Sequence, residues 1–143
     1  MNKKYLSPTQ ESGYKFISQG IKGNVVMLNL LRFKEIADYS NYPDIKPKKE
    51  ISGKEAYDIY IKHTLPFLEK SGGEVIFMGE ASAYLIGPSE EKWDAVLLVK
   101  QKSVEDFIAF ERNSEYMKGI GHRTAALEDS RLLPIVESEL TNR

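Results

Sequence analysis

The sequence has no cysteine. Disulfides, thiolate metal sites and a cysteine nucleophile are therefore excluded. Charge of one sign is also scarce, since 20 lysines and arginines stand against 21 aspartates and glutamates for a net charge of -1. Such a balance gives no attraction to phosphate backbones or acidic membranes, and neither nucleic acid nor a membrane is expected as a partner. No run approaches the roughly 18 consecutive apolar residues that a membrane helix needs. Met1 to Lys4 carries two lysines but is followed by Tyr5-Leu6-Ser7-Pro8, without the apolar core of a secretory signal, so the cytoplasm is the expected compartment. Phosphate-loop, dinucleotide and Gly-x-Ser-x-Gly fingerprints are missing too. The two histidines, His63 and His122, have no Glu-x-x-His neighbour; no metal and no cofactor, haem included, is expected.

What remains is a globular composition, with 41% hydrophobic and 29% charged residues in 143. That length suits one α+β domain over 1–143, with residues 1–23 as an N-terminal helical extension and 24–137 as the core. Ser7-Pro8-Thr9-Gln10 reads as a helix start capped by Ser7, with proline at the first helical position. Asn24 to Phe33 is β-branched at entry and apolar at both parities, the pattern of a strand covered on both faces. Residues 34–51, with Pro43 and Pro47, read as a long loop, either an ordinary surface loop or a lid or interface arm. Ser52-x-x-Glu55 opens a helix running to about Lys70, with Ala56, Ile59, Tyr60, His63 and Phe67 as its apolar stripe and Pro66 kinking the last turn.

Glu74 to Ile86 follows as a strand with a bulge or close approach at Gly79, then a turn at Gly87-Pro88, then a partner strand from Trp93 to Lys100. Ser103 and Asn113 cap further helices. Arg131 to Glu137 closes the order as a strand placed at an edge by Pro134. The resulting β-α-β-β-α-β order is that of a ferredoxin-like antiparallel four-stranded sheet with helices on one face. Two helices cover one side only, yet the first strand and Trp93 to Val99 are apolar on both. A second copy of the chain is the expected cover, giving a homodimer.

Candidate chemistry is sparse. His63 on the apolar stripe is either a satisfied core histidine or a general base lining a cavity, with Tyr60 one turn earlier sharing its role. Asn29 and Arg32 need partners in an apolar strand. Arg32 either reaches solvent or an acidic neighbour at the strand end, or clamps a ligand anion with its planar fork. Their opposite parities keep them out of one cavity. His122 and Arg123 follow Gly119 and Gly121, which offer close backbone approach to a ligand, or form a surface turn whose arginine pairs with Glu128 or Asp129. Glu80 is a carboxylate facing a pocket or solvent, and Trp93 is core or interface packing in preference to a stacking platform.

Several segments together resemble the family numbered 1330 among domains of unknown function. They are Val25-Val26-Met27-Leu28-Asn29-Leu30-Leu31-Arg32-Phe33, Tyr57-x-x-Tyr60-x-x-His63-Thr64-Leu65-Pro66, Ser71-Gly72-Gly73, Trp93-Asp94-Ala95-Val96-Leu97-Leu98-Val99, and the stretch from His122 to Pro134. The resemblance spans about Asn24 to Val136 and implies a dimeric α/β barrel, the superfamily that also houses cofactor-free monooxygenases, isomerase-like degradative enzymes and haem-binding members. It raises Tyr60, Arg123 and Glu80 as pocket residues. Three readings follow: a dimer binding a small organic carboxylate or carbonyl compound through Arg32 or Arg123; a cofactor-independent enzyme with His63 as base; and a non-catalytic structural dimer.

Overall fold

The computed structural model describes residues 3–139. Helix α1, Gln10–Ser18, is capped by Thr9 and not by Ser7. A reciprocal box needs a side-chain oxygen at both the cap and the third helical position. Thr9 and Ser12 supply that pair, each backbone N–H donating to the other hydroxyl at 3.0 Å. Strand β1 is Val25–Phe33, and the loop after it contains a single 3-10 turn, Pro43–Ile45. Helix α2, Gly53–Lys70, starts with the expected box between Ser52 and Glu55 and carries Pro66 without ending. Gly72 closes it at φ 86, a left-handed conformation that glycine adopts without a Cβ clash.

Strand β2, Glu74–Glu80, ends six residues before the expected Ile86, and β3, Ala95–Gln101, begins after Trp93. Between them the chain forms an arm held by one isolated bridge, Ala83 to Lys92. Ser103 caps α3, Val104–Glu111, and Asn113 caps α4, Ser114–Met117. A further helix, α5, Ile120–Ala126, replaces the turn expected at Gly119-Ile120-Gly121. Strand β4 then starts at Leu127, four residues early, and runs to Ile135.

The four strands are antiparallel in the order β2-β3-β1-β4, a ferredoxin-like sheet with Pro134 on an edge strand as its missing donor requires. Odd-numbered positions of β1 face the helices. Val25 and Met27 join Val104 in one buried cluster, while Leu31 joins Ala56, Tyr57, Tyr60 and Leu68 of α2 and Tyr116 of α4 in another. On the opposite face the register aligns Phe77, Leu98, Leu28 and Leu133 in one row across all four strands. Val96 and Leu30 extend that apolar row on one side, and Val26 and Ile135 on the other. Neither buried cluster includes any of these side chains, and Phe77 and Leu133 are 52% and 56% exposed. Among the described residues no helix is long and apolar enough to cross a membrane.

Candidate functional site

Helix α2 turns a different arc to the core than the 100° stripe suggested. Ala56, Tyr57, Tyr60, Thr64 and Leu68 are buried, while Ile59 is exposed and His63 sits at the margin. The two tyrosines, three apart, lie on one face with ring centroids 5.2 Å apart. Opposite them α4 brings Tyr116, whose hydroxyl lies 2.7 Å from that of Tyr60. Arg123 enters the same layer from α5, and its Nη1 donates to the Leu6 carbonyl at 2.7 Å. Leu6 itself packs on this cluster.

Burial pushes the phenols of Tyr57, Tyr60 and Tyr116 upward and also raises the Glu111 carboxyl, with Arg123 opposing the rise in all four. One guanidinium thus serves three neutral phenols, with the solvent-exposed Glu111 at the margin of the layer. Among the described residues Arg123 makes no ion pair, and the Tyr57 hydroxyl has no hydrogen-bond partner. Spare donors of this kind suit a carboxylate or carbonyl oxygen.

The histidines lie beside this layer and are engaged elsewhere. His63 Nε2 is 2.8 Å from the Glu115 carbonyl and 3.2 Å from that of Tyr116. Carbonyls only accept, so Nε2 carries the proton. Its ring leans on Gly119, where an added Cβ would fall 2.7 Å from His63 Cγ, and Gly121 similarly admits Tyr42 and Ile45. The two glycines therefore accommodate packed side chains, where the sequence had suggested close approach to a ligand. His122 Nδ1 meets the Tyr39 hydroxyl at 2.6 Å, and its pKa is lowered by burial and then by His63. A cavity of about 220 Å³ opens between the 41–45 segment and the α4–α5 junction, lined in part by Tyr42, Ile45, Met117 and Gly121. None of the eight candidate residues lines it. Among the described residues no three His, Cys, Asp or Glu side chains group as metal ligands.

The remaining candidates are distributed over the sheet. Asn29 faces the helices between the two buried clusters and donates to the Met27 and Leu97 carbonyls at 3.2 Å. Arg32, of opposite parity, donates to the Lys92 carbonyl at 2.9 and 2.8 Å. Its guanidinium stacks on Trp93 at 5.3 Å, and that of Arg131 at 5.0 Å. Trp93 is 2% exposed, with Nε1 donating to Tyr84 and Glu91. Glu80 is exposed on the edge strand β2. The structure thus brings Tyr60 and Arg123 together, places His63 and His122 alongside them, pairs Arg32 with Trp93, and leaves Asn29 and Glu80 apart. Tyr57, Tyr116 and Glu111 were not singled out from sequence. The Tyr57-x-x-Tyr60 spacing on one helix face was the available signal.

The model of a domain of unknown function, DUF1330, matches residues 47–137. The chain belongs to the DUF1330 family. The match begins after β1, so Tyr60, His63, Glu80, Trp93, His122 and Arg123 lie inside the DUF1330 region and Asn29 and Arg32 outside it. Crystal structures of the RPA0582 protein of Rhodopseudomonas palustris, described as a protein of unknown function, resemble the chain over nearly its whole length. One is 35% identical, with a TM-score of 0.85 over 96% of this chain and 100% of that one. A methylated form is 34% identical, with a TM-score of 0.84 over 95% and 96%. The At3g17210 protein of Arabidopsis thaliana is 10% identical, with a TM-score of 0.51 over 82% of this chain and 99% of that one, a likeness of fold alone. No curated protein matches the chain.

Proposed function

We propose that this DUF1330 protein is a homodimer whose protomers each bind a small organic carboxylate or carbonyl compound at Arg123. The observation that carries the binding reading is the pair of spare donors, the Arg123 guanidinium and the Tyr57 hydroxyl, within a layer of phenols. A guanidinium among groups that resist ionisation gains most from an anion brought by a ligand. Dimerisation rests on the uncovered apolar row from Phe77 to Leu133. Each large apolar side chain moved fully from water gains about 1.5–3 kcal/mol, and a two-fold copy presents the same row in return.

Proton abstraction by His63 gains no support from its surroundings: with Nε2 donating to backbone carbonyls the base would have to be Nδ1, and His63 does not line the cavity. The test is a thermal-shift titration with a panel of small aliphatic and aromatic carboxylates and ketones, followed by calorimetry of Arg123→Gln and Tyr57→Phe. A charge-assisted hydrogen bond contributes about 1.5–3 kcal/mol, so Arg123→Gln should weaken a stabilising compound on the order of 10- to 100-fold. Equal affinity in both variants would remove the site from this layer. A panel that shifts neither protein, with Arg123→Gln melting lower, would leave a purely structural role.

A further inference from the structure

Among the described residues the arm between β2 and β3 shows the largest mismatch between chemistry and exposure. Leu85 is 99% exposed and Ile86 is 90% exposed, yet the arm that carries them is built as a braced hairpin. Ala81 N–H donates to the Asp94 carbonyl at 2.9 Å, and Trp93 N–H to the Ser82 carbonyl at 3.3 Å. The Tyr84 hydroxyl donates to Glu91 at 2.7 Å and accepts from Trp93 Nε1 at 2.8 Å. Trp93 is in turn stacked with the guanidiniums of Arg32 and Arg131. A base fixed in this way holds the two aliphatic side chains out in water, and such display is explained by a partner surface.

We propose that the arm docks Leu85 and Ile86 on a second copy of this chain. The inference rests on the homodimer reading and adds the element that completes its interface. Three rows of four residues and the Arg32–Asp129 pair make up the open sheet face, whereas a stable interface takes roughly 20–30 residues from each side. The sheet alone falls short, so elements outside it must contribute. The arm is continuous with β2 and β3 and carries the most exposed large apolar side chains named above. The chain also offers apolar surface for such a tip on the open face at the edge strand β4, where Leu133 and Ile135 are 56% and 39% exposed. A lipid surface is disfavoured by charge: the tip is followed by Glu90 and Glu91, where a membrane-docking segment gathers lysine and arginine.

Sedimentation velocity over a dilution series tests the proposal, using the full chain and its Leu85→Ser/Ile86→Ser variant. Because both side chains are almost wholly exposed, the variant keeps the folded protomer intact, which cooperative thermal unfolding verifies. The expected result is a dimeric wild type and a variant whose dimer dissociation constant is raised on the order of a hundredfold or more. A variant that dimerises as tightly as a dimeric wild type overturns the arm proposal and leaves the homodimer reading in place. A monomeric wild type overturns both. Wild-type binding to phosphatidylcholine vesicles, lost in a variant whose dimer is unchanged, assigns the tip to lipid and likewise overturns the proposal.

Discussion

Gly53→Ala separates two opposite expectations. Gly53 is the first residue of α2, and alanine is the better helix former by about 1 kcal/mol, so propensity alone predicts stabilisation. The surroundings predict the reverse. A Cβ at this position would lie 2.6 Å from the Ala126 carbonyl oxygen and 2.7 Å from the Lys34 nitrogen, and closer still to the Lys34 oxygen. All three are backbone atoms, in segments tied together by hydrogen bonds from Gly53 N to Lys34 O at 3.0 Å and from Lys34 N to Ala126 O at 2.8 Å. Contacts under 3.0 Å are essentially never seen, so Ala126 must retreat by about 0.4 Å and Lys34 by more. Overpacking of this kind costs about 3 kcal/mol or more where no side chain can yield. Set against the propensity gain, the net is a loss of about 2 kcal/mol, or a Tm lower by roughly 6 °C in a chain of this length. Gly13→Ala is the control, since nothing lies within 4 Å of its Cβ in α1, and it should gain up to about 1 kcal/mol. Urea denaturation reads both, as a shift in midpoint at constant slope. Gly53→Ala equal to or more stable than wild type would refute the close approach that orients α2 and its tyrosines.

Other outcomes follow from the same layer. Tyr60→Phe or Tyr116→Phe alone leaves the partner hydroxyl without its 2.7 Å bond, at a cost of about 1–3 kcal/mol each, and the double variant should cost clearly less than the sum; additive losses in a double-mutant cycle would show the hydroxyls to be uncoupled. His122 has a folded-state pKa below its ordinary 6.5 because of burial and then His63. Above pH 6.5 both states are neutral; below it the unfolded chain takes up the proton first, so the stability tied to His122 falls until the folded-state pKa is reached. His122→Asn keeps an acceptor for Tyr39 without titrating, and should flatten the fall in Tm below pH 6.5. An unchanged pH profile in that variant would contradict the assignment.

Much of the fold was legible because local signals agreed with the global pattern. Ser52 with Glu55, Ser103 and Asn113 all cap helices where the sequence placed them, and Pro134 marked an edge strand. The Ser7 cap was displaced locally, by the Thr9–Ser12 pair, whereas the misreadings around the site originate in tertiary contact. Glycines 119 and 121 look like a turn, yet they begin α5 because His63, Tyr42 and Ile45 need the space a Cβ would take. The α2 stripe was displaced because Tyr57 and Thr64, ambiguous in polarity, go inward while Ile59 goes out. Sequence gave no direct signal for Tyr116 and Glu111 joining Arg123, since that depends on how α3, α4 and α5 fold back over α2. The split of Asn29 from Arg32 was readable, because strand parity alone sets it.

Native mass spectrometry of the full chain tests the homodimer most directly. The account predicts a dimer at about micromolar concentration, because the row Phe77, Leu98, Leu28 and Leu133 has no cover within the described chain. A monomer under those conditions would contradict it, since the apolar face would then be stable in water without a second copy.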